Sequence, residues 1–175
     1  MASTATKNNA RCGSKMGMRM TTPMSSVNKF FFLAVVILKE EIVKAFAKLG
    51  EESVGKVRDR PGEESWFDQT GNLRSSIGYS VYDYGKKMIE SSFATVKGGA
   101  EGSVEGRKMV GELASEYSKV YALVVVAAMN YADFVEAKEN KDVLASTELW
   151  ARSVVDTRLK QAVEKAVKRI NKLRL

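Results

Sequence analysis

The sequence predicts an α+β fold, in which a small antiparallel sheet is packed by a long N-terminal helix and a long C-terminal helix. Residues 27–59, and a second segment from Asp142 or Ser146 to Leu173, carry apolar side chains at the spacing typical of helices. Residues 77–93 alternate apolar and polar side chains around a Tyr-Gly-Lys turn, which predicts a β-hairpin. Residues 121–129 are a continuous apolar run, which predicts a buried strand.

The start of the first helix is apolar almost all round and contains Phe30, Phe31 and Phe32. This apolar run is too short to span a bilayer, which takes roughly 20 residues, and the charged Lys39 and Glu40 that follow it argue against a signal peptide. A helix of this kind is covered on more than one side. We therefore expect a subunit interface at these phenylalanines and no contact with a membrane.

Capping residues bound the helices in the first half of the chain. Ser25 or Ser26 is expected to cap the first helix, and Pro61 follows its end. Thr70 is expected to cap a short helix directly after it, with Asp68 adding negative charge at the positive helix end. This segment would form a corner from which the sheet leaves the helix.

Several aromatic side chains are candidates for contacts between subunits. Trp66 and Phe67 lie in a polar loop, where they either anchor a partner surface or fold back as a lid on the core, and the sequence leaves both open. We add Tyr84 and Tyr131, at two predicted turns, to the expected interface. The tyrosines of the first strand suggest a half-covered sheet face whose hydroxyls reach water.

The second half of the chain alternates a loop, a helix and a strand. Residues 98–106 are rich in glycine and are expected to be a flexible loop, and residues 107–119 to be a helix that crosses the sheet. The apolar run at residues 121–129 should be central in the sheet, or lie sandwiched between its helices and another subunit. An acidic rim of Asp133, Glu136, Glu139 and Asp142 follows, and we favour solvation over a cation site.

The composition argues against most enzyme classes. The chain has no histidine and one cysteine, Cys12, so an internal disulfide is excluded and a conventional zinc site is disfavoured. It also lacks the commonest general base, a nucleophile elbow and a phosphate-binding loop. We therefore expect no catalytic, metal or cofactor-binding residue and no cofactor.

The positive charge is concentrated at the two ends of the chain. We expect a basic flexible arm at residues 1–26, an α+β domain at residues 27–150 and an extension of the last helix at residues 151–175, which should reach beyond the fold. The cations of both ends are candidates for contact with DNA or with a channel lumen, or else are simply solvated. The candidates are Lys7, Arg11, Lys15, Arg19, Lys168, Arg169 and Lys172.

Two short motifs carry a resemblance to a known family. Thr-Gly-Asn-Leu-Arg-Ser-Ser-Ile at residues 70–77 and Tyr-Ala-Asp-Phe-Val-Glu at residues 131–136 resemble the "TGxLRxSI" and "YAxxVE" runs of the tail-completion family of tailed bacteriophages. Members of this family are small α+β proteins of the head–tail junction. The sequences of these motifs also look like those of family members in phages of gut Bacteroides, including crAss-like phages.

The resemblance implies a structural subunit of the virion, present as a homo-oligomeric ring in the neck or tail around the DNA exit channel. Its partners would be copies of itself, the portal or adjacent neck and tail rings, and genomic DNA passing through, with assembly in the host bacterial cytoplasm. An alternative is a free nucleic-acid-binding protein that uses the basic arm and the basic C-terminal helix. This alternative predicts an affinity that falls steeply with salt.

Overall fold

A computed structural model describes residues 22–60, 66, 68–138 and 143–173. The predicted α+β architecture, with a small antiparallel sheet and two long helices, is confirmed. The predicted arm is described only from residue 22 onward, and Phe67, Glu139 and Asp142 also lie outside the described residues. The elements in chain order are α1 (Met24–Arg58), α2 (Asn72–Ser76), β1 (Ile77–Asp83), β2 (Lys86–Glu90), α3 (Ala100–Leu113), β3 (Tyr121–Ala127), α4 (Ala132–Lys138) and α5 (Ala145–Ile170).

The sheet is antiparallel throughout and has the order β2-β1-β3. The predicted hairpin is confirmed, and Tyr84 and Gly85 form its tight turn with φ angles of 50° and 79°. Positive φ at both central residues matches the right-handed twist of the flanking strands. Of the two predicted placements of β3, the central one is wrong, since β3 lies at an edge of the sheet, and the placement against another subunit stays a prediction.

Helices pack on both faces of the sheet, but on the α1 side the residues of β3 are only partly buried. Helix α1 packs on one face through Val43, against Tyr79 and Val81. Helix α3 packs on the other face, as predicted, where Val110 meets Tyr82. The expectation that the strand tyrosines reach water is wrong for these two, because both rings are buried and the Tyr82 hydroxyl donates to the Val110 carbonyl.

Helix α3 begins at Ala100, so the prediction of a loop over residues 98–106 is wrong. The glycines there permit close packing. A Cβ on Gly102 would overlap the carbonyl group of Asn72, and a Cβ on Gly106 would overlap the ring of Phe93. The sequence predicted that these glycines form a flexible loop. In the structure, their lack of a side chain instead allows α3 to approach α2 and the sheet.

Helix α5 runs antiparallel to α1 and packs along it. Arg158 of α5 donates to Glu52 at 2.8 Å, and Arg169, near the end of α5, donates to Glu40 at 3.0 Å and to Glu41 at 2.5 Å. The prediction that the end of this helix reaches beyond the fold is therefore wrong. Within the described ranges, none of the helices has both the length and the apolar composition needed to cross a bilayer.

Helix α1 follows Pro23 directly, so the expected serine cap is not used. Its 35 residues correspond to a length of about 52 Å. Its C-terminal half lies between the sheet and α5. Its N-terminal half extends past the sheet and past α5, and this projecting half is part of the candidate site.

Candidate assembly interface

The corner after α1 is built by the first family-like motif. The carboxylate of Asp68 accepts hydrogen bonds from the backbone N–H groups of Gly71 at 2.9 Å and Arg74 at 3.0 Å. Thr70 accepts a bond from the Asn72 N–H at 3.3 Å, but Gly71 occupies the N-cap position, so the expectation that Thr70 caps α2 is wrong. The expected negative charge of Asp68 does lie at the start of the helix. Ser76 accepts a bond from the Ala128 N–H at 3.1 Å and so ties the corner to the end of β3.

Trp66 belongs to this corner and is buried. Its side chain is 5% exposed and packs in a core cluster with Val57 and Leu73. The guanidinium of Arg74 lies over its ring at 5.0 Å and also donates to the Arg58 carbonyl at the end of α1. The lid on the core is therefore the alternative that the structure realises, and the expectation of an exposed anchor at Trp66 is wrong.

The second family-like motif meets the first at the same corner. Ala132 and Val135 pack in the cluster that holds Trp66, and Glu136 accepts hydrogen bonds from the N–H groups of Leu144 at 3.4 Å and Ala145 at 2.9 Å, at the start of α5. Tyr131 is 36% exposed. The burial of the rest of its side chain raises the pKa of its hydroxyl, and the negative charge of Asp68 raises this pKa further. The two motifs therefore position α1, the sheet and α5.

The described acidic residues around this motif, Asp133 and Glu136, are not grouped as metal ligands. Glu136 is committed to the helix start, and Asp133 is exposed in the first turn of α4. No group of three or more His, Cys, Asp or Glu side chains placed to hold a metal occurs among the residues that the structure describes. Within the described part of the acidic rim, Glu136 therefore caps the start of α5.

The N-terminal part of α1, residues 24–38, is an apolar helix segment that the body of the subunit leaves exposed. We name it the overhang. None of its residues is buried, and the first buried residue of α1 is Glu41. Phe31 is 62% exposed and Phe32 is 68% exposed, while Phe30 is half-buried and packs edge-on against Phe31. Large apolar side chains grouped in this way are typical of protein interaction sites.

The exposed face of the overhang continues the face that packs on the sheet. Phe32 precedes Lys39 by seven residues and Val35 precedes it by four, so these side chains share one side of the helix. Lys39 donates to Asp83 at 3.1 Å, at the last residue of β1. The apolar face of α1 thus runs past the point where its own sheet ends.

Aromatic residues mark the end of the sheet beside the overhang. Tyr84 is exposed in the hairpin turn and packs edge-on against Tyr121, with ring centroids 5.5 Å apart. Because Lys39 joins α1 to Asp83, this pair lies near the point where the overhang leaves the body. Tyr84 is therefore accessible to a partner, and its interface role stays a prediction.

A second apolar surface lies between β3 and α5. We name it the β3 groove, a concave space of about 370 Å³. It is lined by Phe46 and Leu49 of α1, Leu123 and Val125 of β3, and Ala151 and Val155 of α5. Sequence reasoning missed this groove because α1, β3 and α5, which are far apart in the sequence, form it together.

Helix α5 has more apolar positions than its contact with α1 uses. Ala162 and Ala166 are buried, whereas Leu149 is 70% exposed, and Val163 and Val167 are exposed as well. These exposed side chains share one side of α5, which is turned away from the groove-lining Ala151 and Val155. A count of apolar positions around α5 was the signal that could have revealed this second face.

The described basic candidates serve two different roles. Arg169 holds α5 against Glu40 and Glu41 of α1 while 42% of its side chain stays exposed, and its contact with DNA stays a prediction. Lys168 and Lys172 are exposed at the end of α5. Lys7, Arg11, Lys15 and Arg19 lie outside the described residues.

Comparisons with known proteins identify no relative of this chain: no family model, no curated protein and no solved structure matches it.

Proposed function

We propose that this chain is a structural, non-enzymatic subunit of a bacteriophage virion, and that its copies form a homo-oligomeric ring in the neck or tail around the DNA exit channel. One observation carries the assembly part of this proposal: the overhang presents Phe31, Phe32 and Val35 to solvent on a helix whose remaining length is packed. Because apolar side chains favour burial, such a surface favours a partner.

The phage part of the proposal depends on the resemblance of residues 70–77 and 131–136 to the tail-completion family. Residues of both motifs lie at one corner of the fold, where Thr70, Asn72 and Tyr131 line a common pocket. Their hydrogen bonds and packing fix the angle between α1 and the sheet. A family that keeps these residues would keep the direction in which the overhang points.

The predicted assembly is a ring because the exposed surfaces are different from each other. The overhang lies at one end of α1, and the β3 groove lies beside the first half of α5. Contacts between unlike patches on successive copies close into rings when the rotation permits it. Cations such as Lys168 and Lys172 would then contact DNA or neighbouring rings.

Native mass spectrometry and negative-stain microscopy of the purified protein test the proposal. We expect one closed oligomer with a fixed copy number and a central opening. We also expect the gene to lie among portal, capsid and tail genes. A protein that stays a single copy at every concentration, encoded away from virion genes, would refute it.

A further inference from the structure

We infer that the overhang of one subunit docks, as a helix, into the β3 groove of a neighbouring copy. This inference rests on the proposed ring assembly and names the two surfaces that form its repeating contact. Neither surface can satisfy the other within one subunit. Helix α1 is continuous from Met24 to Arg58, so the overhang cannot fold back onto a groove that its own Phe46 and Leu49 help to line.

The chemistry of the groove matches that of the overhang. Leu123 and Val125 belong to the sheet face on which α1 already packs through Val43 and Phe46. Phe32 and Val35 lie on that same side of α1, further along the helix. The same sheet face on a neighbouring copy is therefore an apolar surface like the one on which the rest of α1 packs.

The length of the groove accommodates most of the overhang. The overhang has a length of about 22 Å at the usual rise per residue. The groove follows α5 from Leu144 to Val155, a distance of roughly 17 Å. About eleven residues of the overhang, enough to include Phe31, Phe32 and Val35, can lie along it.

The area available for burial is sufficient for a specific contact. A buried phenylalanine removes about 150–250 Å² from water, and a typical interface buries about 800 Å² per partner. Phe31 and Phe32 would each contribute on the order of 100 Å² beyond what the subunit already buries. Met24, Val35 and the exposed turns between them would supply a large share of the remainder.

Photocrosslinking from position 31 tests this contact without assuming its register. Phe31 is replaced by benzoylphenylalanine, an aromatic residue of similar shape, in subunits of normal isotopic mass that are mixed with ¹⁵N-labelled copies. We expect crosslinked peptides that join the probe in one copy to β3 or to the first half of α5 in another copy. The same probe at Phe134, which is 61% exposed on α4, is the matched control and should not reach the groove.

A blocking variant supplies the second readout. Ala151→Trp fills the groove from a position that is half-buried on α5, and it should lower the yield of this crosslink about tenfold or more. Circular dichroism melting shows whether the variant is folded. If it is not, Arg152→Trp, at an exposed position that also lines the groove, takes its place with the same expectation.

The outcomes separate this inference from the proposed function. An oligomer whose crosslinks join two overhangs, or join the probe to residues 1–21, overturns the inference and leaves the ring assembly in place. An oligomer with no crosslink from position 31 does the same. A protein that is monomeric throughout, with no crosslink between copies, overturns both.

Discussion

Trp66 stabilises the corner between α1 and the sheet because its ring is buried against Val57 and Leu73 and under the guanidinium of Arg74. Among the residues that the structure describes, its indole N–H has no hydrogen-bond partner. The described contacts that stabilise it are therefore apolar packing and the cation–π contact with Arg74. Whether Trp66 is buried depends on contacts with residues far from it in the sequence. The sequence alone therefore left open whether it anchors a partner or covers the core.

Truncation of this side chain should destabilise the subunit. We expect Trp66→Ala to lower the free energy of unfolding by about 3–5 kcal/mol, because it removes a buried aromatic ring and leaves a cavity. Trp66→Phe should lose markedly less, since it keeps a ring under Arg74 and sacrifices no hydrogen bond. Urea denaturation followed by circular dichroism measures both variants. Equal stability of Trp66→Ala and the wild type would show that the corner does not depend on this ring.

A second prediction at the residue scale concerns Glu41, which is buried between α1 and α5. Burial alone would raise the pKa of its carboxyl group, but hydrogen bonds from Arg169 and Lys44 outweigh burial and hold the pKa below its ordinary value of 4.5. The contribution of Glu41 to stability is therefore complete above its unfolded-state pKa. It is lost as the pH falls through the lower, folded-state value.

The expected result is an acid limb of stability that depends on this one carboxylate. The free energy of unfolding should fall less steeply below about pH 4.5 in Glu41→Gln than in the wild type. Glu148→Gln is the control, because its ion pair with Arg152 is exposed and such pairs contribute little. Urea midpoints measured from neutral to acid pH provide the comparison. Identical slopes in the wild type and Glu41→Gln would count against the pairing with Arg169.

At the scale of elements, α3 owes its position to glycines that let it approach other backbone segments. Gly102 lies against the carbonyl group of Asn72, where no side chain fits. Gly111, in the same helix, has open space around its Cβ position. The two residues therefore predict opposite effects of the same substitution.

We expect Gly102→Ala to destabilise the subunit by about 1–3 kcal/mol, because the added methyl group forces α3 away from α2. Gly111→Ala should be neutral or stabilise by up to about 1 kcal/mol, because alanine favours the helix. Thermal melts of both variants measure the difference. A harmless Gly102→Ala would mean that α3 can shift, and that its closeness to α2 is not required.

The local elements were predictable and their arrangement was not. Apolar periodicity indicated α1 and α5, and the Tyr-Gly turn indicated the hairpin, since these signals lie within a few residues of each other. The edge position of β3 and the alignment of Arg169 with Glu41 depend on contacts between residues far apart in sequence. Single-sequence patterns do not specify such contacts. The glycines of α3 gave a wrong loop prediction for the same reason. Their role in close packing depends on contacts with residues far away in the sequence.

At the scale of the whole molecule, the candidate site combines one predicted surface and one that was not foreseen. The overhang follows directly from the apolar composition around Phe30, Phe31 and Phe32. The β3 groove requires three elements to meet, so no stretch of sequence contains it. A subunit with a projecting apolar helix and a separate apolar groove favours head-to-tail assembly over a closed pair.

An assembly formed by apolar surfaces should resist salt. We expect the oligomer to keep its mass between about 0.1 M and 1 M salt, because screening weakens charge pairs and leaves apolar contacts intact. Binding of the protein to DNA driven by Lys168, Lys172 and other cations should instead weaken steeply over this range. Light scattering and a DNA titration at several salt concentrations separate the two. Dissociation of the oligomer in high salt would argue for a charged interface instead.

The most direct test of the account is sedimentation velocity of the wild type beside Phe31→Ser/Phe32→Ser, with Phe134→Ser as the control for loss of an exposed phenylalanine. The account predicts a multi-subunit wild type and control, and a double variant that is monomeric and keeps the far-UV circular dichroism of the wild type. A wild type that sediments as a monomer at the highest attainable concentration, or a double variant that assembles as well as the wild type, would contradict it.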